Sequence, residues 1–132
     1  MAQDSEKPDF FSRPILAVAD VSASVDYYCS KLGFSLSWTG CDAEHPVIAA
    51  VERAGICLIL DAGSALPASS RPAVVAAELF EHVNLAQLHA ELSQRGAKVR
   101  RAPFQVPWQP KVHQLEVEDL DGNLLLFWGD LP

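Results

Sequence analysis

The stretch from Arg13 to Trp38, RPILAVADVSASVDYYCSKLGFSLSW, reads as strand, helix, strand, and the chain repeats that design once. A short apolar run leads to Asp20, whose carboxylate suits a helix N-cap. Val21, Val25, Tyr28 and Leu32 then recur at the spacing of one helical face. Gly33 ends the helix in the way a glycine just past the last turn does. Near residue 77, AELFEHVNLAQLHAELSQRGAKV puts Asn84 in the place of Asp20, Leu85, Leu88 and Leu92 in the stripe, and Gly96 at the stop. Cap and stop lie 13 positions apart in the first copy and 12 in the second. Repeated amphipathic units bury their apolar faces against each other. The expected fold is therefore α+β, one domain of two βαβββ modules.

The chain can fill such a core, because 49% of its 132 residues are apolar. Its 17 acidic and 10 basic residues give a formal charge of −7, which disfavours nucleic acid and anionic membrane as partners and favours cationic ones. MAQDSEKPDFF has neither the positive start nor the apolar centre of a signal peptide, and no run approaches the roughly 20 apolar residues that span a bilayer. A cytoplasmic protein is expected. Cys29, Cys41 and Cys57 are odd in number and form no CxxC pair, so free thiols are expected in place of a disulfide framework or structural zinc.

Residues 1–12 form a polar arm carrying two aromatic residues, Phe10 and Phe11, that call for a docking partner. The domain proper is expected over 13–132, with modules at about 13–61 and 75–129 and an Ala/Ser/Pro-rich linker at 62–74. In the first module GCDAEHP is a loop, and VIAAVE and ICLILD are strands joined at Arg53, Ala54 and Gly55. In the second, AELFEHV is a strand, Leu85 to Arg95 a helix and KVRR a strand. RAPFQVPWQP, too rich in proline for a central strand, is a loop presenting Phe104 and Trp108. KVHQLEVE and LLLFW complete the module as strands, the second entered through the tight turn Asp121-Gly122-Asn123.

VADVSASVDYYCSKLGFSLSW, the paired modules and DLDGNLLLFW together resemble the vicinal oxygen chelate superfamily of glyoxalase I, extradiol dioxygenases, and fosfomycin- and bleomycin-resistance proteins. The resemblance implies two curled mixed sheets around a cleft, helices outside, and a homodimer. It also implies places for a divalent metal. One ligand usually lies seven residues before the residue that caps each helix, which is Arg13 and Ala77 here; another lies three residues after the Asn of the GN turn, Leu126 here, with Ile59 its counterpart in the first module. Arg has no lone pair to give, and Ala, Leu and Ile have no donor atom. No metal and no other cofactor is therefore expected.

A short acidic chain without these ligands is most similar to the bleomycin-resistance branch, which sequesters a drug without chemistry. Pro14 directly after the arm, and Pro107-Trp108 in the loop where that branch places a stacking tryptophan, agree with it. Bleomycin-type glycopeptides combine a flat bithiazole with a cationic tail, so a trap needs aromatic faces and carboxylates. Strand alternation anchored on the implied concave positions puts Ala77, Leu79 and Glu81 on the cleft face with Leu124, Leu126 and Trp128. The expected ligand contacts are Trp38, Asp61, Glu81, Phe104, Trp108, Gln114, Glu116 and Trp128, with a cationic aromatic antibiotic as partner. Each has a plainer role open to it: Trp38 and Trp128 as core, the acids as solvated surface. The main rival is a glyoxalase- or dioxygenase-like enzyme with a metal site rearranged around His82, His113 and a carboxylate, but alternation places both histidines on the helix side; a binder of another cationic aromatic small molecule shares every feature above. His45 and His89 read as loop and exposed-helix residues. A nucleophilic cysteine is not expected, since Cys29 sits among helix packing residues and Cys41 has only His45 near it as a base.

Overall fold

A computed structural model describes residues 9–40, 44–63, 71–80 and 82–130. The first module runs β1 (Ile15–Ala17), α1 (Val21–Lys31), β2 (Ser35–Gly40), β3 (Ile48–Arg53) and β4 (Ile56–Asp61). The second runs β5 (Val74–Glu78), α2 (Leu85–Arg95), β6 (Lys98–Gln105), β7 (His113–Glu118) and β8 (Leu124–Gly129). Each module folds into its own four-stranded mixed sheet, in the orders β1-β4-β3-β2 and β5-β8-β7-β6. The first strand of each pairs in parallel with the last, and the other pairs are antiparallel. Neither sheet closes on itself.

The helices start and stop where their end residues dictate. Asp20 accepts a hydrogen bond from the Ala23 amide at 3.0 Å, and Asn84 accepts from Ala86 and Gln87 at 2.8 and 3.2 Å. Gly33 and Gly96 take φ values of 75° and 84°, the left-handed turn that ends a helix and that glycine adopts without a Cβ clash. Each helix then lays its apolar stripe on a sheet. Tyr28 and Leu32 of the first module and Leu85 and Leu92 of the second join Leu16, Val51, Leu60, Leu115, Val117 and Phe127 in one core. At about 1.5–3 kcal/mol for each large side chain fully buried, this core is the main stabilising term.

The modules are also pinned by hydrogen bonds. The Tyr27 hydroxyl donates to the Glu118 carbonyl at 2.7 Å and accepts from the Lys98 amide at 2.9 Å, so α1 is tied to β6 and β7 of the other module.

Two strands differ from expectation. β5 begins at Val74, inside the stretch read as linker, and ends at Glu78. β6 runs on through Pro103 to Gln105, so Phe104 stands in a strand and not in a loop. Proline is tolerated there because β6 is the sheet edge, and its pairing with β7 shifts register between Val99 and Arg101 and again between Arg101 and Phe104.

Candidate functional site

The alternation of β7 and β8 sets the two faces of the second sheet. Leu115, Val117, Leu125 and Phe127 are buried against the helices, so Gln114, Glu116, Leu124, Leu126 and Trp128 point to the other, concave side. Pairing extends this side across all four strands. One row reads Glu78, Trp128, Gln114, Phe104, and the next Ala76, Leu126, Glu116, Arg101.

Hydrogen bonding fixes the centre of the first row. The Trp128 indole N–H can only donate, and it donates to Gln114 Oε1 at 2.7 Å. The Gln114 amide nitrogen is thereby left to donate, and Glu116 Oε2 accepts at 2.8 Å. The other carboxylate oxygen of Glu116 lies 3.7 Å from Arg100 Nε. The Trp128 N–H is thereby committed within the row. Trp108, 61% exposed in the β6–β7 loop, stands almost perpendicular to it, with ring planes at 74° and centroids 5.4 Å apart. Phe104 is different, because the Arg101 guanidinium already sits 3.5 Å from its ring centroid.

Of the eight expected contacts, Phe104, Gln114, Glu116 and Trp128 therefore share one face, and Trp108 adjoins it. Trp38 and Asp61 belong to the first sheet. Trp38 is 37% exposed, in the row Trp38, Ala50, Ile59, Ile15; Asp61 is 3% exposed, in the row Gly40, Ile48, Asp61, Ala17. Asp61 is thus a buried carboxylate at the end of β4 in the first sheet. Glu81 lies outside the described residues.

The expected face of β5 was one residue out of phase. Ala77 pairs with Phe127, and Ala77 and Leu79 pack against the core, so the cleft-facing residues are Ala76 and Glu78. Glu78 was missed for this reason. The signal that could have found it is Val74-Val75, a β-branched pair that starts the strand earlier.

The usual metal positions do not fit a metal. Ala77 faces the core, Ala76 beside Leu126 has no donor atom, and Ile59 pairs with Ile15 and Ala50. Arg13 is exposed, with its guanidinium 4.8 Å from the Phe11 ring centroid. Among the described residues, no three His, Cys, Asp or Glu side chains gather as a cation site. His113 does lie on the helix side, in phase with Leu115, and its Nδ1 is buried without a hydrogen-bond partner. His82 does not lie there; it is exposed and its ring is nearly parallel to Phe80.

Among the described residues, two hollows lie against the second sheet. One of 370 Å³ lies at the end of the first row, walled by Trp108, Trp128, Phe80, Glu78 and Asp130. The other, of 520 Å³, runs between β4 and β5, with Cys57, Leu58, Val75 and Ala77 among its walls. Among the described residues, no helix is long and apolar enough to cross a membrane.

A family model described as the glyoxalase/bleomycin resistance protein/dioxygenase superfamily matches residues 10–127. No curated protein matches the chain. Among solved structures, TioX from Micromonospora sp. ML1 superposes with a TM-score of 0.72 at 20% identity, over 92% of this chain and 100% of that one. A glyoxalase/bleomycin resistance protein/dioxygenase from Nocardioides gives 0.68 at 22% identity, over 98% and 89%. One of the same description from Alicyclobacillus acidocaldarius gives 0.74 at 17% identity, over 96% and 95%. At these identities the likeness speaks for the fold.

Proposed function

Because the chain belongs to the glyoxalase/bleomycin resistance protein/dioxygenase superfamily, we propose that it uses the concave face of its second sheet to hold a cationic, partly aromatic small molecule without transforming it. Bleomycin-type glycopeptides are the favoured ligand class, and resistance by sequestration follows from it. The observation that carries this reading is the Trp108–Trp128 corner beside the Trp128–Gln114–Glu116 chain of hydrogen bonds. A planar heteroaromatic group stacked along the row from this corner gains about 0.5–1.5 kcal/mol per ring beyond area burial. The carboxylates of Glu78 and Glu116 supply the charge for a cationic tail, while a metal-dependent reaction would lack ligands at all four customary places.

The proposed working form is a homodimer in which the first sheet of one copy faces the second sheet of the other. Ile15 and Trp38, 40% and 37% exposed on the first sheet, would then roof the cleft, and Trp38 would join the ligand contacts. The test is a calorimetric and fluorescence titration with metal-free bleomycin, with the mass of the protein followed by light scattering and a Trp108→Ala variant alongside. One drug per subunit on a dimer, with binding lost in the variant, is expected. No binding at roughly 100 μM, about −5.5 kcal/mol on the affinity scale, would remove bleomycin from the account.

A further inference from the structure

The 370 Å³ hollow at the end of the first row differs in chemistry from the rest of the concave face. Two of its walls are the indoles of Trp108 and Trp128, close to perpendicular, so that a group lodged in the corner meets two ring faces at once. Phe80 adds a third aromatic surface, Glu78 and Asp130 put two carboxylates at the rim, and no Lys or Arg is among the described residues that line it. The indole N–H of Trp128 is spent on Gln114 and does not oppose a cation.

The Phe104 end of the same row is already satisfied, because Arg101 covers that ring at 3.5 Å. Between the two ends of the row, only the tryptophan end is left to take a cation from outside.

The kind of cation follows from hydration. A primary ammonium carries three N–H donors and strongly held water, which aromatic walls cannot replace. A fully alkylated ammonium has no donor to satisfy, sheds its water at lower cost and presents methyl groups to the rings, which is the chemistry of aromatic cages. We propose that this hollow is a recognition site for an alkylated ammonium group, with Trp108 and Trp128 as its walls and Glu78 and Asp130 as its counter-charge. The inference rests on the small-molecule-binding reading above and names the ligand group that the tryptophan corner takes.

The test uses the intact protein and three small probes read by tryptophan fluorescence: choline, its uncharged isostere 3,3-dimethylbutan-1-ol, and ethanolamine. Choline should bind about tenfold tighter than either of the others. Trp108→Leu, a change at an exposed side chain, should abolish that preference, and Glu78→Gln should weaken choline severalfold while leaving the neutral alcohol unchanged. Circular dichroism of both variants verifies the fold. Choline binding no better than the alcohol or ethanolamine would overturn the cage, even in a protein that traps bleomycin. Choline preference without any bleomycin binding would leave the cage standing and remove the glycopeptide reading.

Discussion

Asp119 is 1% exposed, yet it is a carboxylate with every oxygen occupied. Its Oδ1 accepts from the Asp121 and Asn123 amides at 2.8 and 2.9 Å, and its Oδ2 from the Tyr28 hydroxyl and the Asn123 side chain at 2.9 Å each. Burial first, and then the neighbouring Asp119 charge, push the Tyr28 phenol far above its ordinary pKa, so it remains a donor. Asn123 extends the network to the other module, donating to the Ala17 carbonyl at 3.1 Å and accepting from the Ala73 amide at 2.7 Å. Asn123→Ala would leave these buried groups unpaired, and a loss of about 2–4 kcal/mol is expected in urea unfolding. A loss within error of zero would mean that water replaces the side chain. From the sequence, Asp121-Gly122-Asn123 is legible as a tight turn, and Gly122 has a φ of 84°. Its partners are not legible, because they lie 50 positions away at Ala73 and more than 100 away at Ala17 and Ala19. The same holds for Gln114, Glu116 and Trp128. Alternation shows the face they share, but the hydrogen-bond order among them exists only once β7 and β8 are in register.

Elements whose signals are local came through well. Both helices were readable to within a residue, since a cap, a stripe and a glycine define each from its own sequence. β5 and β6 were not, because an edge strand is defined by what it pairs with: parallel pairing with β8 sets where β5 begins, and bulges let β6 carry Pro103. Contacts between elements were equally hidden. Arg53, at the end of β3, grips Glu91 of α2 with both terminal nitrogens, at 2.9 and 2.7 Å, and also donates to the Leu32 carbonyl at 2.7 Å. The φ of 75° at Gly33 favours glycine, and a Cβ there would also push aside the Arg53 guanidinium of this bridge.

The Arg53 hydrogen bond is the main cause that holds the Glu91 carboxyl below its ordinary value of 4.5. A carboxyl whose folded pKa is depressed binds its proton less readily when folded, so its contribution is full above about pH 4.5 and is lost as the pH falls through the lower folded value. Glu91 is 36% exposed, so solvent screens the pair and Glu91→Gln should cost about 0.5–1 kcal/mol at pH 7. Urea midpoints of parent and variant should converge at acid pH. A gap that persists there would assign the effect to packing and not to charge.

At the scale of the whole molecule, duplication has produced two sheets with unlike concave faces. The first offers Ile15, Ile59, Ala50 and Trp38 in one row and buries its one acidic candidate, Asp61; the second sets Glu78, Trp128, Gln114 and Phe104 in a row, beside Glu116. An apolar row and a polar, aromatic row are complementary, and the proposed pairing of two copies around a ligand draws on that difference. The fold class was readable because an amphipathic unit repeats. The difference between the two faces was not, because it depends on side chains from strands far apart in the chain.

If the second sheet is the ligand face, the chain's three tryptophans will report it. Each indole N–H gives its own signal in a nitrogen–proton correlation spectrum, assignable through single Trp→Phe variants. On titration with metal-free bleomycin or choline, the Trp108 and Trp128 signals should move together and saturate at one ligand per chain. Saturable binding that leaves both signals in place would put the ligand elsewhere and exclude the second sheet as its site.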